Sequence, residues 1–439
     1  MALAQTAHPT VSSEPARTLA SIGAKAAMAA ATGTAIEYYE FGIYGFMAVF
    51  LGPLFFPNTD ATAALLSTLA VFGSAFLVRP LGGILLGRLG DRFGRRSVLL
   101  TTVIGMGTAT TAIGLLPTAS QVGLIAPLLL VLARLTQGFF AGGEVVGSAA
   151  FVAESAPIGR RGFFGAFTPV GVALGGALAA TVCGLTTMSL DQAQMLAWGW
   201  RVPFLLAFPL VLFSALMRHN IEETPAFRKF LESGTLPKAP VREVLRNNLR
   251  SVIQVTLIAS SQNVGYWVGL VFMNIYLTVH LGYAKADVFW IMAGVGVLLA
   301  LMMPFWGALS DRWGRRKVLA IGFCGYVVVV LPMMLLMAQN SIWLAAVALI
   351  VSTLPMPIVQ SVGYPTYSEQ FPTAVRYTGM AIAINLGAMI GGGFTPYLAT
   401  WLLSTTGNLL MPGFLLAGAA VMALATLLTL DETSGGELK

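Results

Sequence analysis

The chain has 439 residues, 56% of them hydrophobic and only 10% charged. A soluble domain carries roughly 25% charged residues, so this chain cannot cover itself with polar surface and belongs in a lipid bilayer. Its formal net charge of +7 raises nucleic acid as a partner, but the placement of the basic residues excludes it.

A helical span takes about 20 apolar residues. Apolar stretches near 28–52, 62–86, 97–117, 122–152, 163–186, 198–217, 251–280, 287–309, 318–338, 341–366, 376–403 and 409–430 predict twelve membrane helices. Of the 25 Lys and Arg, 21 then fall on one side: both termini, the loops after helices 2 and 8, the 154–162 turn, the central loop and Arg376. The other side keeps only Lys285, while Arg79, Arg134 and Arg201 stay within or at the edge of spans. Such a bias marks the cytoplasmic side, so both termini are expected there. The expected layout is a tail over 1–24, a six-helix bundle over 25–217, a linker over 218–250, a second bundle over 251–430 and a tail over 431–439. Residues 1–20 lack the apolar core of a cleaved signal peptide. Cys183 and Cys324 lie inside apolar stretches and read as inert packing residues, with no disulfide, metal site or cofactor implied. There is no GxxxxGK[ST] phosphate loop, so ATP is not expected to drive the protein, and no nucleophile–base pair suggests catalysis.

Helix 1 carries Glu37 and Glu40, which share a face with Gly33 and Tyr44 at 100° per residue. Carboxylates in a span are costly and usually face a cavity and work, so both are candidates for carrying a proton. The structural alternative is a network with a nearby arginine. Helix 2 carries Arg79, eight residues before Gly87 and so roughly 12 Å inside that end. There it could bind an anion or snorkel to the interface. Gly83 and Gly87 read as a helix-packing pair.

The loop that follows, GRLGDRFGRR, holds Gly87, Asp91, Arg92, Gly94, Arg95 and Arg96. It returns as GALSDRWGRR, with Gly307, Asp311, Arg312, Gly314, Arg315 and Arg316, at an offset of 220 (307 − 87). A charged turn repeated at half-length implies two copies of one unit. Asp91 is the single acid among four arginines, so it can bridge loop and bundle as a gate, and Asp311 likewise.

Helix 4 places Arg134, Gln137, Ala141, Glu144 and Ser148 within about an 80° sector, a polar stripe that reads as the wall of a water-filled path. Arg134 and Gln137 become substrate-binding candidates. Glu144 is a third proton-carrying candidate, with an internal salt bridge as an equal alternative. Glu154, Pro157 and Arg161 recur as Glu369, Pro372 and Arg376 at an offset of 215 (369 − 154), and the charged members read as gate residues. Trp198, Trp200 and Arg201 read as an interfacial belt. Residues 218–250, with seven basic and four acidic side chains, form a solvated, partly helical linker. The second half offers neutral groups: Asn263, Tyr266 and Asn274 on one face of helix 7, Gln360 and Tyr364 beyond a Pro355–Pro357 kink in helix 10, and Asn385 on helix 11. With Tyr38 and Tyr44 of helix 1, these complete the substrate-binding candidates.

The two copies of Gly-x-Leu-x-Asp-Arg-x-Gly-Arg-Arg resemble the signature loops of the major facilitator superfamily. Glu-Tyr-Tyr-Glu-Phe-Gly-Ile-Tyr-Gly, Phe-Leu-Val-Arg-Pro-Leu-Gly-Gly, Trp-Gly-Trp-Arg-Val-Pro-Phe and Glu-Glu-Thr-Pro-Ala-Phe, in this order, resemble its metabolite:proton symporter family over residues 28–433. The chain departs from that family at Glu40, where relatives usually carry aspartate. It also stops at Lys439 without the long coiled-coil tail of the osmosensing proline/betaine member, which argues against that function. The resemblance implies an all-α membrane protein of twelve transmembrane helices in two pseudo-symmetric bundles that rock about a central site. The implied activity is proton-coupled uptake of a small organic metabolite, a carboxylate first. Proton-driven efflux, or symport of a zwitterion such as proline or betaine, are the alternatives. The expected setting is a monomer in the inner membrane, with substrate, protons and lipid as its partners.

Overall fold

The structure is a computed structural model. It describes the backbone of residues 14–57, 60–93, 95–219, 240–372 and 375–436, and the side chains of 23–57, 60–86, 100–216, 241–372 and 375–436. Twelve long helices account for nearly all of it: α1 (Glu14–Phe55), α2 (Ala61–Phe93), α3 (Arg95–Leu115), α4 (Ile125–Ser155), α5 (Arg161–Ser189), α6 (Gln192–Leu216), α7 (249–280), α8 (Lys285–Trp313), α9 (Arg315–Met337), α10 (Ile342–Glu369), α11 (Arg376–Thr406) and α12 (Met411–Leu427). No strand occurs among the described residues. In hydrocarbon every backbone polar group must be satisfied within its own segment, so a chain this apolar folds as helices.

The outer surface is apolar. Leu124, Leu301, Val328 and Trp343 are all exposed, which only lipid makes inexpensive. Inward faces use small residues for close approach. A Cβ on Gly142 of α4 would lie 2.1 Å from the Arg79 carbonyl oxygen of α2, so only glycine fits this crossing. In the first half α1 packs on α5 and α2 on α4; in the second α7 packs on α11 and α9 on α12. The bundles meet along α2–α11 and α5–α8, with α1 and α7 facing each other at the centre.

Four expectations change. The single span over 122–152 is two helices, Ile125–Ala141 and Glu144–Ser155, broken at Gly142–Gly143. Paired glycines are poor helix formers, and partners from the other bundle take the freed carbonyls. Asn385 Nδ2 donates to Gly142 O at 2.8 Å, and the Tyr377 hydroxyl reaches Gly143 O at 3.5 Å. In α7, wide π turns over Trp267–Phe272 and Tyr276–His280 shift the register, because each turn closes over five residues rather than four. Only the first lies between Tyr266 and Asn274, so the face drawn for Asn263, Tyr266 and Asn274 at 100° per residue no longer follows from the count alone. The Asn263 amide bonds back to Ala259 O, and Asn274 is buried. The interfacial belt holds for Trp198 alone. Trp200 is buried edge-on against Phe55, and Arg201 caps the end of α3 through Gly114 O and Leu116 O, both at 2.8 Å. Finally, Cys183 is buried, but Cys324 faces outward rather than packing inside.

Candidate functional site

The three glutamates converge inside the first bundle. Glu37, Glu40 and Glu144 line one cavity of about 10 Å³ between α1, α3 and α4, with Thr102 on its wall. That volume is the size of a single water molecule. Each carboxyl has a different environment. Glu37 is ion-paired with Arg79. Glu144 accepts from Thr102 Oγ1 at 3.2 Å. Glu40 Oε2 accepts from Thr110 Oγ1 at 2.8 Å.

Both membrane arginines are buried, which corrects the expectation of an arginine open to a path and of a snorkelling Arg79. Arg79 packs its guanidinium over Phe41 and Phe76. Arg134 sits over Phe41, Tyr44 and Phe72 and donates to Gln137 and to Phe72 O. Cation–π contact of this kind replaces part of the lost hydration. Gln137 passes the connection on, donating to Thr110 Oγ1 at 2.8 Å. The α4 stripe thus faces the interior of its own bundle rather than a water-filled path.

Between the bundles lies a box of aromatic rings. Tyr38 of α1 stacks on Trp267 of α7 at 6.3 Å and meets Tyr266 edge-on at 5.3 Å. Phe72 and Phe76 of α2 close on Trp267 at 5.0 and 5.5 Å. Tyr364 of α10 meets Tyr367 edge-on at 6.1 Å. Behind Tyr364, Gln262 donates to Gln360 and accepts from the Tyr367 hydroxyl. The Trp267 indole Nε1 is buried without a hydrogen-bond partner, an expensive state for a donor.

Toward the signature loops, Arg315 is the hub. Its guanidinium reaches Asp311 at 2.9 Å, Glu369 Oε1 at 3.0 Å and Ser310 Oγ at 2.6 Å. Asp311 also accepts the backbone N–H groups of Gly162 and Phe163 at 2.8 and 3.0 Å, which are the opening residues of α5 in the other bundle. The turn at Gly314 needs φ of 97°, open to glycine. Glu432 caps α9 there, accepting from the N–H groups of Arg315 and Arg316. Burial opposes the Glu432 charge, but these backbone donors outweigh it and hold its carboxyl below the usual range. Arg161 donates to Gly436 O, and Arg376 lies 3.7 Å from Glu154 across the bundles. Arg312 is exposed. The side chains of the first loop, Gly87, Asp91, Arg92, Gly94, Arg95 and Arg96, lie outside the described residues. At the opposite end Phe46 meets Phe289, Lys285 lies over Phe50 at 4.2 Å, and an apolar cavity of about 390 Å³ sits between α1, α2 and α7.

Phe72, Phe76, Trp267, Gln262, Tyr367, Thr102 and Thr110 are not visible as site residues from the sequence. Aromatics and threonines in a span look alike whether they face lipid or a neighbour.

One family model, described as sugar (and other) transporter, matches residues 25–235 and again 228–439. Both halves answer to the same family, as the repeated loops imply. The chain belongs to the sugar (and other) transporter family. It is therefore a membrane transporter of the major facilitator class and not an enzyme. Among curated members it is 37% identical over 424 residues to the proline/betaine transporter of Escherichia coli (strain K12), covering 94% of this chain and 85% of that protein. It is also 37% identical to the glycine betaine/proline/ectoine/pipecolic acid transporter OusA of Dickeya dadantii (strain 3937), over 94% of this chain and 84% of that protein. The shikimate transporter of Escherichia coli (strain K12) is 33% identical, over 93% and 94%. The fold is that of the proton:xylose symporter XylE, with a TM-score of 0.77 at 19% identity, covering 95% of this chain and 98% of that one.

Proposed function

We propose that this family member takes up a small zwitterion, a carboxylate bearing a substituted ammonium, in symport with protons. The observation that carries the reading is the aromatic box. Rings from α1, α2 and α7 cluster around Trp267, and clustered aromatic rings are the side chains that recognise quaternary ammonium groups. The orphan Trp267 N–H supplies a donor for a carboxylate. The names of the two 37%-identical relatives agree with this chemistry, so the zwitterion replaces the plain carboxylate as the first reading.

Glu40 is the proton carrier in this proposal. Glu37 is committed to Arg79, whereas the Glu40 side chain is held by a neutral hydroxyl and can take up a proton without breaking an ion pair. The bundles, 25–217 and 251–430, rock about the site, and the arginine-rich side with both termini faces the cytoplasm. The protein works as a monomer in the inner membrane.

A thermal-shift screen tests the substrate. Glycine betaine or proline is expected to raise Tm by mass action, by several degrees at saturation. Trp267→Leu is expected to lose that shift. Stabilisation by shikimate and not by either zwitterion would reject the reading, and labelling of a C-terminal tag from outside intact cells would reject the orientation.

A further inference from the structure

Thr110, the neutral hydroxyl that holds Glu40, touches the proton carrier directly. Its Oγ1 makes three contacts from one atom. It lies 2.8 Å from Glu40 Oε2, 3.0 Å from Met106 O and 2.8 Å from Gln137 Nε2. Gln137 can only donate here, because its amide oxygen already accepts from Arg134. One hydroxyl hydrogen therefore faces two acceptors, the Glu40 carboxylate and the Met106 carbonyl. Thr110 is fully buried, so bulk water does not compete for it.

We infer that Thr110 is a two-position hydroxyl switch that positions Glu40 in both of its protonation states; this rests on the reading of Glu40 as the proton carrier. With Glu40 ionised, the Thr110 hydroxyl donates to Oε2. With Glu40 protonated, the carboxyl O–H donates to Thr110 Oγ1, and the Thr110 hydrogen turns to Met106 O. A hydroxyl oxygen has two lone pairs and one hydrogen. In the second state it accepts from Glu40 and from Gln137 and donates to Met106, so its capacity is filled. Both states are fully hydrogen-bonded with no movement of heavy atoms. That matters in a buried site, where a stranded donor or acceptor is expensive. The proton balance is simple: one proton arrives on Glu40, and the Thr110 hydrogen stays on its own oxygen and rotates.

The ionised state also sits at the end of a chain with one direction of donation: Arg134 to Gln137, Gln137 to Thr110, Thr110 to Glu40. Such chains polarise and strengthen one another, so the Arg134 charge favours ionised Glu40 across two neutral groups. The other charged groups that face Glu40 are Glu37, itself held by Arg79, and Glu144, held by Thr102.

The experiment is accumulation of labelled glycine betaine against external pH in proteoliposomes, beside substrate exchange as a measure of folded protein. Thr110→Val keeps the shape and removes the hydroxyl, while Thr110→Ser keeps the hydroxyl. In the valine protein ionised Glu40 loses a charge-assisted donor while protonated Glu40 loses only a weaker neutral acceptor, so the midpoint of the pH profile is expected to move up by about one unit, with exchange retained. The serine protein is expected to overlay the wild type. Thr110→Ala carries the same expectation as valine if the latter does not insert. A valine or alanine profile that overlays the wild type, or a serine profile shifted as far as theirs, would overturn the switch. If Glu40→Gln still accumulates substrate under a pH gradient, the proton-carrier reading itself fails, a result separable from a failed Thr110 series.

Discussion

Glu40→Gln is expected to abolish accumulation of substrate driven by an imposed pH gradient while leaving exchange across the membrane intact. Glutamine keeps the length and the oxygen that accepts from Thr110 but cannot gain or lose a proton. A gradient of one pH unit is worth about 1.4 kcal/mol per proton, or tenfold in concentration. Wild-type vesicles coupled one proton to one substrate should therefore approach about tenfold accumulation, and the glutamine protein should stop at equality. Exchange survives because it needs only the loaded carrier to reorient. Accumulation that withstands a protonophore and follows sodium instead would reject proton coupling. A glutamine protein that still concentrates substrate would move the role to Glu37 or Glu144, which line the same cavity.

Much of this arrangement is legible in the sequence, and the reason is energetic. Twelve apolar stretches and their loops follow from hydropathy, since the bilayer forbids most other folds. The duplicated charged turn exposes the two halves, and the family model that matches twice reflects the same repeat. The membrane acids stand out because a charge in hydrocarbon is too costly to be accidental.

The side-chain partners are not legible, because helical periodicity gives a direction but not a neighbour. Arg79 reads equally as an anion ligand, a snorkelling cation or a salt-bridge partner until Glu37 is placed against it. The α4 stripe is drawn on an unbroken helix, whereas Gly142 and Gly143 interrupt it. The α7 face is drawn across a π turn at Trp267–Phe272, and π turns are invisible to a 3.6-residue count. Trp267, central to the aromatic box, is one apolar residue among many until α1 and α2 are folded around it.

Arg315→Met is expected to have the largest effect at the signature-loop end, lowering Tm by several degrees and opening that side of the interface. Arg315 is buried between Asp311 and Glu369. Removing one partner of a buried ion pair typically costs about 3–5 kcal/mol, because the remaining charge stays desolvated; here two carboxylates are left. Asp311 keeps the N–H groups of Gly162 and Phe163, and Glu369 keeps the Thr433 hydroxyl, so collapse should be partial. With Arg315 gone, Asp311 is no longer anchored to its own bundle, and its grip on the start of α5 weakens. A cysteine placed at Ser310, buried against Arg315, should then react with a water-soluble maleimide several times faster than in the parent protein. Arg315→Lys keeps the charge but loses the two-pronged contact with Glu369, and should fall between. Adding Glu369→Gln to Arg315→Met removes one uncompensated charge, so it should recover much of the Tm without restoring protection of the thiol. Recovery of both would mean that the pair contributes stability alone and that Asp311 holds α5 without it, and an unchanged labelling rate in Arg315→Met would remove Arg315 from the gate.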